Sequence, residues 1–110
     1  MIFEDTYMDW KKSGFDYLKS RKPKTGAQVQ NIYLYDTDED QLTERERLIM
    51  ILVATVYEIE HDMLTEELRD ELRLYYQDLK SGKLEGILGD NEETEIKEDI
   101  EKYYAIVFSS

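Results

Sequence analysis

The chain has 110 residues, 41% of them hydrophobic, which fits one domain with a real core and excludes a disordered acidic chain. The formal net charge is −12 and it is uneven, +2 over residues 1–30 and −14 over residues 31–110, so the larger part should attract basic partners and repel nucleic acid and anionic membranes. Because there is no cysteine, disulfides, thiol chemistry and cysteine-based zinc sites are excluded.

The first element that the sequence predicts is an amphipathic helix over residues 3–20. Aromatic and apolar side chains recur at helical intervals along one face of it, and Gly14 lies among them. Gly14 is therefore either a close packing point or a weak position in the helix. Pro23 disfavours helical geometry at Lys22, so the helix should end there or earlier.

Residues 25–36 are ambiguous between a strand and a helix. Residues 32–35 have strand composition. Thr25 and Gln28, however, have the spacing of a helix capping box, and the apolar residues within 29–33 repeat at i, i+3 and i+4. The sequence offers no convincing second strand for pairing, so we predict a short helix.

A helix over residues 43–61 is predicted to lie at the centre of the fold. Residues 48–57 are almost entirely apolar, and a helix that is apolar all round is normally buried. Thr43 and Glu46 have the spacing of a capping box at its start. The charged residues at 58–62 are expected to mark where the helix emerges into water.

Two further helices are predicted after the central one. Thr65 can cap a helix over 66–80, which Gly82 would end. The apolar face of that helix consists of Leu68, Leu72, Tyr75, Tyr76 and Leu79. Residues 83–90 suggest a short apolar connector or a single helical turn, and residues 91–107 suggest a last helix with acidic residues in its first turn.

These elements predict an all-α fold, a single-domain bundle of about five helices over residues 1–110. The first ten residues include three acids and no base, so no signal peptide is expected. The longest apolar run is about half of the roughly 18–20 residues that a membrane span needs. A cytoplasmic protein without membrane contact is the expectation.

Two acidic motifs suggest metal binding, but neither has the full ligand pattern. The loop of residues 36–40 lacks the central glycine and terminal glutamate of a calcium-binding EF-hand. Residues 58–61 read E-x-x-H, a pair found in di-iron bundles, but those sites need a second pair and His61 is the chain's one histidine. We therefore expect no metal and no cofactor.

Catalysis is also not indicated. The chain has no cysteine nucleophile, no G-x-S-x-G elbow and no glycine-rich phosphate loop. Carboxylate pairs are plentiful, but 26 acidic residues produce such pairs by chance, so no general acid or base can be singled out. The expectation is a protein that is not an enzyme.

Tyrosines beside carboxylates suggest two surfaces for a basic protein partner, since tyrosine supplies an anchor and the acids supply steering. The first candidate surface consists of Tyr33, Tyr35, Asp36, Asp38, Glu39 and Asp40. The second consists of Glu66, Glu67, Asp70 and Glu71. The alternative for each tyrosine is a place at the margin of the core.

The order of these features over residues 7–104 resembles the all-α immunity proteins of bacterial polymorphic toxin systems, in particular the immunity family numbered three. The likeness lies in the N-terminal helix with Trp10, the stretch over residues 36–72, and the connector and acidic last helix that follow. It implies a cytoplasmic protein that binds and neutralises one cognate toxin and carries no catalytic residue. Many such toxins are basic nucleases, which suits the charge of residues 31–110. The alternative function is a small acidic regulatory or adaptor module, or a nucleic-acid mimic, within a larger complex.

Overall fold

Six helices form the described part of the chain. The computed structural model describes residues 6–34, 41–88 and 94–109. Its helices are α1 (Tyr7–Arg21), α2 (Gly26–Tyr33), α3 (Glu44–Glu60), α4 (Glu66–Ser81), α5 (Lys83–Leu88) and α6 (Thr94–Phe108). Every regular element in those ranges is helical, so the predicted all-α class is confirmed. The described residues form one helix more than the five that were predicted. The additional helix is α5, where the sequence indicated a connector or a single turn.

Helix α3 occupies the centre of the bundle, as predicted. It contacts each of the other five helices, and its residues from Leu48 to Glu58 are all buried. The predicted capping box is also present at its start. The Glu46 carboxylate accepts from the Thr43 N–H at 2.9 Å, and the Thr43 hydroxyl accepts from the Glu46 N–H at 3.1 Å. The start of α3 therefore satisfies its free N–H groups locally, and its apolar surface organises the core.

The expected emergence of α3 into water at residue 58 is wrong. The Glu58 side chain is 0% exposed, and the helix reaches solvent only at Glu60. Burial persists because the chain turns back after His61, so that the start of α4 covers the last turn of α3.

Helices α1 and α2 pack together against α3. Thr6 caps α1 by accepting from the Asp9 N–H at 3.2 Å, so α1 begins at Tyr7. The predicted start at residue 3 lies outside the described residues. Gly14 is a close packing point, because a Cβ there would lie 2.8 Å from the Tyr33 hydroxyl and 2.9 Å from a Val53 methyl group. The absence of a side chain at residue 14 lets α2 and α3 approach α1 closely.

The prediction of a short helix within residues 25–36 is confirmed by α2. The Thr25 hydroxyl accepts from the Gln28 N–H at 3.2 Å, which is one half of a capping box. The Gln28 side chain accepts from the N–H of Lys24 at 2.7 Å rather than from that of Thr25. The side-chain cap therefore extends one residue further back than the motif implies.

Helices α4 and α6 are joined by a row of aromatic side chains. The rings of Tyr76 and Tyr104 stack 3.7 Å apart, and Phe108 lies 4.7 Å beyond Tyr104. Lys80 and Arg69 lie over the two ends of this row, each 5.2 Å from a ring centre. Cations over ring faces stabilise such contacts, so the row fixes how α4 and α6 lie together and which side of α4 remains free.

Candidate functional site

Tyr33 belongs to the core and not to a partner surface. Its side chain is 0% exposed, and its hydroxyl accepts from the Trp10 indole N–H at 3.1 Å. Burial raises the pKa of Tyr33 to about 12. The assignment of this tyrosine to the first candidate surface was therefore wrong, because the helical spacing of α2 turns the residue inward beside Val29.

The rest of the first candidate surface, Tyr35, Asp36, Asp38, Glu39 and Asp40, lies outside the described residues. The second candidate surface can be placed in full. Glu66, Glu67 and Asp70 are exposed and Glu71 is half-buried, all within the first two turns of α4. The structure therefore brings the four predicted acids of α4 together on one stretch of helix.

The four acids of α4 lie away from the side of the helix that enters the core. Leu68, Leu72 and Tyr75 form that buried side. Asp70 pairs with Arg73 at 2.7 Å, but both side chains are more than half exposed, so the pair adds little to stability and leaves the carboxylate accessible.

Sequence reasoning missed an exposed leucine among these acids. Leu74 is 52% exposed, although α4 buries other leucines. It follows Glu67 and Glu71 at i+7 and i+3, so the three lie along one side of the helix. Helical spacing could have indicated this exposure, because Leu74 lies outside the apolar repeat of α4. We call Glu66, Glu67, Asp70, Glu71 and Leu74 together the acidic face of α4.

A buried carboxylate connects α3 to the start of α4. Glu58 Oε1 accepts from the Thr65 N–H at 2.8 Å and from the Thr65 hydroxyl at 2.9 Å. The same hydroxyl accepts from the Gln30 amide at 2.8 Å, which adds α2 to the network. Glu58 Oε2 is buried and has no hydrogen-bond partner among the residues that the structure describes. This carboxyl group is therefore only half satisfied at a junction of three helices.

Packing at that junction leaves no room for a side chain on Gly26. A Cβ there would overlap the Met63 carbonyl oxygen and would lie 2.9 Å from Glu58 Oε1. Burial is the main cause that raises the pKa of Glu58 to about 7. Its hydrogen bonds from Thr65 act in the opposite direction, and the charge of Glu67 raises the pKa further. No local sequence pattern indicates this site, since Glu58 stands near the charged end of α3.

The E-x-x-H motif does not assemble a metal site. The Glu58 carboxylate is directed to Thr65, while His61 Nδ1 donates to the Tyr57 carbonyl at 2.8 Å and its ring stacks on Tyr57. Over the three described ranges, no cluster of three or more histidine, aspartate or glutamate side chains could hold a metal ion. In the same ranges no helix is long and apolar enough to cross a membrane.

A shallow groove of about 290 Å³ runs along the outer side of α1. It is lined by Met8, Lys11, Lys12, Phe15, Asp16 and Lys19. Lys11 is engaged by Asp99 at 2.8 Å, which ties α1 to α6. The groove combines an apolar floor with lysines, in contrast to the acidic face of α4.

Comparison with known proteins found no matching family model, no matching curated protein and no matching solved structure.

Proposed function

We propose that this chain is an immunity protein, a cytoplasmic protein of bacterial origin that binds one basic toxin domain and neutralises it stoichiometrically. In this proposal the toxin is a basic, nuclease-like effector and the chain itself catalyses no reaction. Two features of the sequence support the proposal. One is the resemblance over residues 7–104, and the other is the net charge of −14 carried by residues 31–110.

The observation that carries the proposal is the acidic face of α4. Its carboxylates supply a negative field that accelerates encounter with a basic partner, by roughly 10- to 1,000-fold where steering is strong. Leu74, 52% exposed among those carboxylates, supplies an apolar group that a partner can bury. Because about half of this side chain is already covered, burying the rest contributes about 1–1.5 kcal/mol to binding.

The support for a binding surface comes from the position of the leucine. Single exposed apolar side chains are common on proteins, but Leu74 lies among the carboxylates of the acidic face of α4. The apolar needs of α4 are met on its other side by Leu68, Leu72 and Tyr75. A leucine ringed by acids suits a partner whose surface has an apolar cleft with basic side chains around it.

The test begins with the tagged chain as bait and asks whether the captured protein is a toxin that the chain disarms. The captured protein is expressed in a bacterial host with and without this chain, and growth is measured. We expect growth to stop without the chain and to recover with it. The two purified proteins should form a 1:1 complex. Capture of a housekeeping complex, or failure to restore growth, would contradict the proposal.

A pair of charge reversals tests the surface. Glu66→Lys with Glu67→Lys reverses two acids of the acidic face of α4, whereas Glu95→Lys with Glu98→Lys makes the same charge change on exposed positions of α6. We expect the first double variant to weaken the complex at least about tenfold more than the second. Equal effects would show that only net charge matters.

A further inference from the structure

The four threonines that precede α1, α2, α3 and α4 differ in how they use their hydroxyl groups. Thr6, Thr25 and Thr43 each accept a hydrogen bond from the N–H three residues on, as an N-cap threonine normally does. Thr65 has the same extended backbone, with φ −85° and ψ 159°, but its side chain makes no cap bond. Its hydroxyl is therefore held elsewhere.

The group that holds it is Glu58. The Thr65 hydroxyl donates to Glu58 Oε1 at 2.9 Å and accepts from Gln30 Nε2 at 2.8 Å, and the Thr65 N–H donates to the same Glu58 oxygen at 2.8 Å. One carboxyl oxygen thus satisfies two donors of Thr65. The other oxygen is buried and has no partner within the described ranges.

We propose that Glu58 and Thr65 form a protonation switch, in which neutral Glu58 holds the start of α4 against α3 and α2, and ionised Glu58 releases Thr65 to cap α4 with its own hydroxyl. The closed state is the one that the structure describes. In the open state the Thr65 hydroxyl accepts from the Leu68 N–H, three residues on, and water reaches the Glu58 carboxylate.

The surroundings of Glu58 favour its neutral form. Burying an oxygen without a hydrogen-bond partner removes its hydration. This loss costs the ionised carboxylate much more free energy than it costs the neutral carboxylic acid. From α4 the charge of Glu67 acts on Glu58. Helix α2 contributes Gln30 to the network and carries no acidic or basic side chain. These terms outweigh the two hydrogen bonds from Thr65 and raise the pKa of Glu58 to about 7, so the group changes charge at neutral pH.

The connection between α3 and α4 is suited to opening. His61 and Asp62 are both exposed, and the His61 ring packs on Tyr57 rather than on Glu58. Asp62 has a φ of 55°, in the left-handed region that a residue other than glycine adopts at a cost. Opening the connection replaces the bond from the Thr65 hydroxyl to Glu58 with a cap bond.

The direct test is an NMR titration of the wild-type protein from about pH 5.5 to about pH 8.5. The side-chain carbon of Glu58 should titrate with a midpoint near pH 7. The amide signals of Thr65 and Leu68 should move with the same midpoint. Hydrogen exchange at the Thr65 amide, corrected for its intrinsic pH dependence, should speed up at least about tenfold across it.

Two glutamines on α4 provide a matched pair. Glu67→Gln removes the charge that faces Glu58 and should lower the midpoint, while Glu66→Gln removes an exposed charge one residue away and should leave it nearly unchanged. Thr65→Ser keeps the hydroxyl and should keep the transition. Thr65→Val removes the hydroxyl that exchanges between Glu58 and the Leu68 N–H, so the Leu68 amide should no longer move with the Glu58 midpoint.

Two results would overturn the switch. One is a Glu58 side chain that titrates near its ordinary value of 4.5. The other is a normal Glu58 transition near pH 7 during which the Thr65 and Leu68 amides neither shift nor lose protection. Neither result depends on a variant that must fold.

Discussion

Replacing Glu58 with glutamine should change how the stability of the fold depends on pH. The carboxyl group is 0% exposed, and its pKa rises from 4.5 to about 7 on folding. Glutamine has nearly the same shape and retains an oxygen that can accept from Thr65, but it cannot ionise. The pH dependence of the difference in free energy of unfolding between the two proteins therefore reports the charge of Glu58.

The sign follows from proton binding. Between pH 4.5 and about 7 the folded protein keeps a proton on Glu58 that the unfolded chain has lost, so stability falls as pH rises through that window. At about 1.4 kcal/mol per pKa unit, the full penalty for ionised Glu58 is about 3 kcal/mol. Roughly 2 kcal/mol of it is lost between about pH 5.5 and about pH 8.5. The Glu58→Gln protein lacks this loss.

Urea unfolding of both proteins at several pH values measures the difference. We expect wild type to lose about 2 kcal/mol relative to Glu58→Gln as the pH is raised over that interval. In thermal melts the same loss corresponds to about 8–15 °C for a domain of this size. A difference between the two proteins that is constant with pH would refute the reasoning, because it would mean that Glu58 has no raised pKa in the folded state.

Three further substitutions and one control test the packing. Leu52→Asp places an unpaired charge in the middle of α3, where the native side chain is 0% exposed. This variant should show no cooperative unfolding transition by circular dichroism. A normal melting curve would contradict the central position of α3. Gly26→Ala should destabilise by about 1–3 kcal/mol in urea unfolding, since its Cβ overlaps backbone. Gly86→Ala is the control, because no described residue lies within 4 Å of the new Cβ, and it should be neutral or stabilising. Equal losses in the two variants would reject the clash at Gly26. Tyr33→Phe removes the hydroxyl that accepts from Trp10. The free energy of unfolding, measured in urea by tryptophan fluorescence, should fall by about 1 kcal/mol. No loss would show that this bond is dispensable.

Much of the fold could be predicted because its signals are local. The capping residues Thr43 and Glu46 and the apolar stretch after them define α3 without reference to any other part of the chain. Gly82 likewise ends α4 with a φ of 83°, a conformation that glycine adopts freely. Signals of this kind concern hydrogen bonds and torsions within a few residues.

The failures concern side chains whose surroundings are set by distant parts of the chain. Glu58 is buried because the turn after α3 brings Thr65 over it, and seven residues of separation hide that contact from periodicity. Tyr33 was assigned to a surface although its place in the i, i+3, i+4 set of α2 already favoured the core. The carboxylates that follow Tyr33 in the sequence suggested a surface position, which its 0% exposure contradicts.

The acidic face of α4 shows an intermediate case. Glu66, Glu67, Asp70 and Glu71 could be grouped from helical spacing alone, since all four fall off the apolar stripe. Leu74 could have been added by the same spacing, because it lies off that stripe as well. Its 52% exposure could be known only once the opposite side of α4 was seen packed against the core and α6.

The most direct test of the proposed function is the association rate of the purified chain with its captured toxin, measured at about 50 mM and about 500 mM salt. We predict that the association rate falls at least about tenfold at the higher salt. At low salt, Glu66→Lys with Glu67→Lys should also lower the association rate. The control, Glu95→Lys with Glu98→Lys, should not share this decrease. A rate that is independent of salt, or equal losses in the two double variants, would contradict binding through the acidic face of α4.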